Sequence, residues 1–274
     1  MLARIPILII ALAVVGLAFA IMEWRWPSVR GQKRLRRGIF TDLSWYFFTA
    51  TLGRVFSGIF VFIVIVVAAR LLGAGPTGDQ LRGLASGETA ISQWPLSLQL
   101  IAFIVLADFF AYWQHRAFHT FSGLWRIHAV HHSSTDLDWL SAVRVHPLND
   151  AISSAIIATP LLLLGFSATT LGAYVPLLTI YAIGLHANVG WSYGPFRFLI
   201  ASPAFHRWHH SDEPQAINKN FDGLLPLWDI VFGTLYLPKD RRATSFGVTG
   251  DPVPPTFLRQ LVYPLRRTKA APAA

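Results

Sequence analysis

Two short stretches of this chain carry the same histidine spacing. Residues 125–136 read WRIHAVHHSSTD and residues 205–214 read FHRWHHSDEP, and each contains H-x-x-H-H. A third stretch, HRAFH, sets His115 four residues before His119. Eight of the ten histidines fall in these clusters: His115, His119, His128, His131, His132, His206, His209 and His210. The other two, His146 and His186, lie between the second cluster and the third. Imidazole is the commonest metal ligand. On a helix, residues i and i+4 stack on one face, and the middle histidine of H-x-x-H-H sits about 100° around from the last. A helix carrying this motif therefore points imidazoles in two directions, toward two neighbouring ions. With His146 and His186 at predicted span ends, the ten residues offer four or five nitrogens to each of two metals. That exceeds what one tetrahedral structural zinc requires. Imidazole accepts Zn, Cu, Fe or Ni, so ligand type leaves the metal open.

Several other metal chemistries are excluded. H-E-x-x-H is missing. Carboxylate di-iron bundles need Glu-x-x-His pairs, and none of Glu23, Glu88 and Glu213 has a histidine three residues on. The chain has no cysteine, which removes disulfides, thiolate zinc and Cys-ligated iron–sulfur clusters.

The elements that must position these histidines are membrane helices. Hydrophobic residues make up 53% of the 274, charged residues only 14%, and mean hydropathy is +0.46. Soluble domains carry about 25% charged residues, so an all-α, multi-pass bundle of four to five spans is expected. The candidate spans are Ile5–Met22, Ile39–Leu72, Pro95–Gln114, Pro147–Phe166 and Thr169–His186. Gly53-Arg54 interrupts the second, which is too long for one simple span. The first ends in an interfacial WRW. AFA at Ala18–Ala20 resembles a signal-peptidase site, but a single Arg4 is a poor positive leader. The net charge of +9 comes from basic residues flanking apolar segments, so anionic headgroups are a simpler partner than nucleic acid.

Arg25, Arg30, Lys33, Arg34, Arg36 and Arg37 crowd the loop after the first span, which the positive-inside rule makes cytoplasmic. The loop Gly73–Trp94, with Arg82 beside Asp79 and Glu88, then faces out. The basic C-terminal stretch, through Lys269, stays inside. Every histidine cluster falls on the cytoplasmic side, at an inner membrane if the source is bacterial. The organisation expected is membrane spans and loops over 1–94, a catalytic domain over 95–237 and a basic tail over 238–274.

On these residues the chain resembles the fatty acid hydroxylase superfamily, which includes sterol desaturases and sterol methyl oxidases. The matching stretches are DFFAYWQHRAFH (Asp108–His119), LWRIHAVHHSS (Leu124–Ser134), RVHP (Arg144–Pro147), HAN (His186–Asn188), SPAFHRWHHS (Ser202–Ser211) and NKNFDGLLPLWDIVFGTLY (Asn218–Tyr236). The resemblance implies a di-iron centre held by the ten histidines, with zinc able to replace iron on overexpression. It implies O2 as co-substrate and oxidation of a lipid C–H bond (sterol, fatty acyl or related) to an alcohol or a double bond. Electrons must come from an external donor of cytochrome b5, ferredoxin or reductase type, because no H-P-G-G, flavin or nicotinamide fingerprint is present. Asn149 stands where related sequences often carry an acid, which puts a supporting role at 149 in doubt.

Other residues are candidates for support. Asp108 sits in an apolar run seven residues before His115, on the same helical face; it is a candidate to hold a ligand imidazole, or to pair with Arg54. Asp212 is a similar candidate, and Asn188 is one for completing the coordination sphere through water. Trp228, Asp229, Phe232 and Gly233 read as packing and a turn, and Tyr112 and Trp113 as span packing. Two rival classes are a metal-binding or metal-transport membrane protein and an assembly protein with a zinc pair. Transport needs polar groups through the membrane depth, where Asp108 is nearly alone.

Overall fold

The computed structural model describes residues 5–71 and 89–266. Arg82, Glu88, Asp79 and Lys269, used above to orient the chain, lie outside the described residues. The described chain is helical, with two isolated β-bridges, Pro27 to Val189 and Ser211 to Phe246.

Helix α1 (Ile5–Arg25) is apolar on all sides, and most of its large side chains are exposed, as a lipid-facing helix requires. Helix α2 (Ile39–Phe48) runs through a π turn at Thr49–Gly53 into α3 (Arg54–Leu71). The Thr51 hydroxyl donates to the Phe47 carbonyl at 2.6 Å in that turn, which accounts for the interruption at Gly53. Helix α4 (Leu96–Thr120) spans about 37 Å at 1.5 Å per residue. Its first turns expose Leu96, Leu98, Leu100 and Ile101, while its last half buries Asp108, Tyr112, Gln114, Phe118 and His119.

A single extended residue, Phe121, breaks the chain before α5 (Ser122–His132). After a 3-10 turn at Trp139–Val143 come α6 (Pro147–Leu163) and α7 (Ala168–His186). Helix α8 (Pro203–His209) starts from Ser202, whose hydroxyl accepts the Phe205 N–H at 3.2 Å. Two short helices follow, α9 (Leu227–Val231) and α10 (Phe257–Leu261). Helix α6 packs between α3 and α4, and α7 packs on the Trp139–Val143 turn and on α8.

Among the described residues, three helical stretches are long and apolar enough to cross a membrane: α1, α2–α3 and α4. Helices α6 and α7 are shorter apolar elements. The chain is an integral membrane protein.

The basic loop after α1 folds onto the histidine end of the bundle. Arg36, counted above among the loop cations, is buried: it holds Asp138 through two hydrogen bonds of 2.6 and 2.5 Å and pairs with Asp42 at 2.7 Å. Asp42 also accepts from Arg144 Nε at 2.6 Å. Gly38, at φ +84°, leads into α2 beside this network; a Cβ there would lie 2.8 Å from the Arg144 guanidinium. The C-terminal segment is likewise no loose tail over its described part. Phe257, Leu261 and Tyr263 pack against Trp45, Ala129 and Val130, and the Trp45 indole donates to Gln260 at 2.7 Å.

Candidate metal centre

Nine of the ten histidines converge at one end of the bundle, in two adjacent groups. Group one is His115, His119, His128, His132 and His209; group two is His131, His186, His206 and His210. Within each, one ring nitrogen per residue lies within 4.8 Å of all the others. Each H-x-x-H-H is shared between the groups: α5 sends His128 and His132 to group one and His131 to group two. Helix α8 and its cap residue do the reverse, sending His206 and His210 to group two and His209 to group one. The two-direction geometry expected of the motif is the geometry observed. The corner at Phe121 brings His115 and His119 of α4 against α5, and the end of α7 delivers His186.

The outer nitrogens are fixed by carbonyls. The Nδ1–H of His115 donates to Phe221 O at 2.7 Å, His131 to Arg144 O at 3.2 Å, His186 to Ala182 O at 2.7 Å and His209 to Lys219 O at 2.9 Å. His128 donates to Asn149 Oδ1 at 2.8 Å. An oxygen that only accepts requires the proton on Nδ1, so a neutral ring must present a lone pair at Nε2.

That tautomer makes two contacts informative. His115 Nε2 lies 3.0 Å from His128 Nε2, and His131 Nε2 lies 3.1 Å from His186 Nε2. In both pairs the Nδ1 protons are committed outward, so two lone pairs face each other with no proton between them. One such pair occurs in each group. Burial opposes a second proton: it pushes His128, His131, His132, His206, His209 and His210 well below the usual 6.5, and repulsion among the rings adds to this. A cation resolves the conflict. Nitrogens about 2.05 Å from one ion stand about 2.9 Å apart at 90° and about 3.3 Å apart at the tetrahedral angle. The Nε2 separations of 3.0–3.2 Å among these rings match that range. The buried Nε2 atoms of His119 and His209 have no hydrogen-bond partner, which fits the same donor set.

His146 is not brought to either group. Its Nδ1 accepts the Leu148 N–H at 3.2 Å as the cap of α6, and its Nε2–H donates to Leu261 O at 3.0 Å. Both ring nitrogens are therefore occupied in closing α6 and the C-terminal segment. Asp108 meets neither an imidazole nor Arg54; it accepts the N–H groups of Leu224 and Leu225, both at 3.1 Å. Asp212 accepts from Ser245 Oγ at 3.0 Å instead of an imidazole. Asn188 is engaged with Val29, accepting its N–H at 2.8 Å and donating to its carbonyl at 3.0 Å. Asn149, where a supporting role was in doubt, is the partner of His128, since an amide oxygen accepts Nδ1–H as a carboxylate would.

Sequence reasoning missed the clamp formed by residues 218–236. Asn220 takes a left-handed conformation at φ 58° and donates its amide to Phe205 O at 2.9 Å and Tyr236 O at 2.7 Å. The carbonyls on either side of it, at 219 and 221, receive His209 and His115. Asp229 is more than a turn residue: it accepts the N–H groups of Phe221 and Asp222 at 3.0 and 2.8 Å and the Thr234 hydroxyl at 2.5 Å. Asp222 beside it is pushed up to about 10, first by burial and then by the charges of Asp229 and Asp108. Tyr112 joins the same clamp through Thr234 at 3.0 Å. The clue in the sequence was the NKNFD pairing of two asparagines, which tolerate positive φ.

Known proteins carry this pattern. The fatty acid hydroxylase family model matches residues 100–234. Ornithine lipid hydroxylase OlsE of Rhizobium tropici is 36% identical over 183 residues, 64% of this chain and 53% of that protein. Alkylglycerol monooxygenase of Danio rerio is 33% identical over 138 residues, 50% of this chain and 30% of that protein. A very-long-chain aldehyde decarbonylase of Oryza sativa subsp. indica is 30% identical over 150 residues, 54% of each chain. This chain thus spans about half the length of the first relative and under a third of the second. No solved structure matches it. The matched residues contain all nine converging histidines and the clamp around them as far as Thr234, and over this stretch, about half of its length, the chain matches the fatty acid hydroxylase family.

Proposed function

We propose that the chain is a membrane-bound di-iron oxygenase that uses O2 to hydroxylate a C–H bond of a lipid. The observation that carries the reading is the pair of opposed Nε2 lone pairs, one in each of two adjacent histidine groups. His115, His119, His128, His132 and His209 would hold one iron, and His131, His186, His206 and His210 the other. Bound iron supplies the activation of O2 and the oxidising power that an unactivated C–H bond demands. The chain's own part is to fix five of the nine rings, His115, His128, His131, His186 and His209, through Nδ1–H with Nε2 inward, and to keep water out by burying the rings. Outer partners of this kind set ligand orientation and basicity.

Lipid is the substrate class supported by the family and by an end of the bundle that meets apolar helices. Hydroxylation is favoured over desaturation because the relatives at 36% and 33% identity are a hydroxylase and a monooxygenase. Electrons come from an external donor of cytochrome b5, ferredoxin or reductase type. The exposed cations of the loop after α1 share the histidine end of the bundle, which supports a cytoplasmic face for the site. Residues 95–237 form the catalytic unit, supported from the preceding segment by Arg36, Asp42 and Glu23, whose carboxylate accepts the N–H groups of Trp139 at 3.0 Å and Asn188 at 2.9 Å.

The test is expression of the full chain, elemental analysis after mild purification, and lipid mass spectrometry with and without O2. Two metal ions per chain and an O2-dependent gain of one oxygen on a membrane lipid are expected. One ion per active chain overturns the dinuclear centre. Two ions with no lipid product under supplied reductant would leave a metal-binding protein instead.

A further inference from the structure

A polar cavity of about 130 Å³ lies against Ala204, Arg207 and Trp208 of α8 and is lined by five cationic side chains: Arg197, Arg207, Lys239, Arg241 and Arg242. No acidic residue lines it. Like charges converging on one space repel, so the arrangement is costly unless something negative enters.

The cations are not equivalent. Arg207 is 1% exposed, and its Nε and Nη2 atoms are buried without a hydrogen-bond partner. Its Nη1 donates to Leu137 O at 2.9 Å, which holds the guanidinium in place. Glu23 and Asp138 are near enough to favour its charged form, but neither bonds it. Arg241 already pairs with Glu213 at 3.0 Å. Arg197, Lys239 and Arg242 have no acidic partner among the described residues. Arg242 is seated by Gly190: a Cβ at 190 would lie 2.5 Å from Arg242 Nη1. The cavity is therefore lined by a buried arginine with unpartnered donors, the half-buried Arg197 and the exposed Lys239, Arg241 and Arg242.

The surroundings point to the source of the anion. Arg197 is bracketed by Phe196, Phe198, Leu199 and Ile200, all exposed. Trp26, also exposed, contacts Trp191, the residue between lining residues Gly190 and Ser192. An exposed apolar run beside tryptophans is the signature of a membrane interface. A free anion needs the cations but not the apolar rim.

We propose that this cavity binds the anionic headgroup of a membrane lipid, with its phosphate or carboxylate on Arg207, Arg197 and Arg242 and its chains along Phe196–Ile200. Guanidinium groups match such oxyanions in bidentate fashion. The site shares α8 with the histidine groups, since Arg207 lies between His206 and His209, but none of its lining residues is one of their histidines.

The test uses the full chain in mild detergent, with native mass spectrometry to count retained lipid and thermal unfolding to measure stabilisation. The probes are phosphatidylglycerol, phosphatidylcholine and inorganic phosphate. Wild-type protein should retain one phosphatidylglycerol in preference to phosphatidylcholine. Each lost cation should weaken retention about fivefold, so R197Q/R242Q should lose roughly 25-fold. Gly190→Ala, which displaces Arg242 without removing charge, should weaken it in the same direction. The control R34Q/R37Q removes two exposed cations from the loop after α1 and should retain the lipid. Equal binding of both lipids, or undiminished binding in R197Q/R242Q, overturns the site. Equal loss in R34Q/R37Q would show diffuse attraction instead. Stabilisation by inorganic phosphate as strong as that by phosphatidylglycerol would show a free-anion site and overturn the lipid assignment.

Discussion

His131 and His209 hold corresponding places in the two H-x-x-H-H motifs, yet they enter groups with different surroundings. Group one gathers five rings, and three of them, His119, His132 and His209, line a small cavity of about 30 Å³ with Trp125, Ser211 and Asp212. His119 also lines a larger cavity of about 300 Å³ beside Arg116 and Phe221. Group two gathers four rings, all buried, and none of them lines either of those two cavities. Its outer support is the ion-pair network of Arg36, Asp42, Asp138 and Arg144, whose Arg144 carbonyl receives His131. One motif, used twice in opposite senses, thus yields an open group and a closed one. Sharing the motif means that neither group can be lost without disturbing the other.

The largest effect should follow from breaking that sharing. His131→Ala removes a ring from the closed group and His209→Ala one from the open group. Each should lower lipid oxidation by at least about 100-fold, beyond the 10–100-fold typical of an outer partner. The double variant should be no worse than either single, because residues acting as a unit are non-additive. A fall by half in each single variant would show two independent sites. Membrane insertion should be unchanged in all three, since apolar helices satisfy their own backbone.

The difference in access gives a second test. A hydrophilic chelator applied to the metal-loaded protein should remove metal in two phases, one ion from the open group first and the other much later. Metal analysis against time would show it. Loss of both ions in a single phase would mean that the two groups are equally exposed and that the cavities do not matter.

A third and smaller effect lies outside the rings themselves. Asn149→Ala removes the acceptor of the His128 Nδ1–H and should cost about 10–100-fold in metal affinity or activity. Asn149→Asp supplies another acceptor and should recover most of that loss. A null result for Asn149→Ala would show that the His115–His128 contact is not set by the tautomer argued above.

The legibility of this molecule in sequence was uneven for physical reasons. Helical periodicity alone fixes which way residues at i, i+3 and i+4 point, so the division of each H-x-x-H-H between two ions could be read before any fold was known, while the opposite senses of the two motifs needed the fold. The long apolar helices were legible for the same reason, since lipid contact makes no demand beyond length and hydrophobicity. His146 was misjudged because its chemistry is that of a ligand while its use is local, as a cap for Leu148 and a tie to Leu261. The burial of Arg36 was not legible, because only the fold reveals Asp138 and Asp42 opposite it. The carbonyls of Arg144, Ala182, Lys219 and Phe221 were invisible because every residue carries one; only the backbone path around Asn220 and Asp229 aims two of them.

The smallest effect tests a residue that sequence placed in the centre and the structure places at its rim. Asp212 bonds Ser245 Oγ at 3.0 Å, and the next step of the chain pairs Ser211 with Phe246. This ties the segment before Gly247 and Val248 over the open cavity, which those two residues also line. Asp212→Asn keeps an acceptor oxygen at the same place, and a single partly exposed hydrogen bond contributes only about 0.5–1.5 kcal/mol. Activity should therefore stay close to wild type. Asp212→Ala loses the tie altogether, so the first phase of chelation should quicken while the second is unmoved. That outcome would locate the residue at the mouth of group one alone. A loss in Asp212→Asn as large as that in His209→Ala would instead show that its charge acts on the rings, and the picture of an open group merely rimmed by Asp212 would fail.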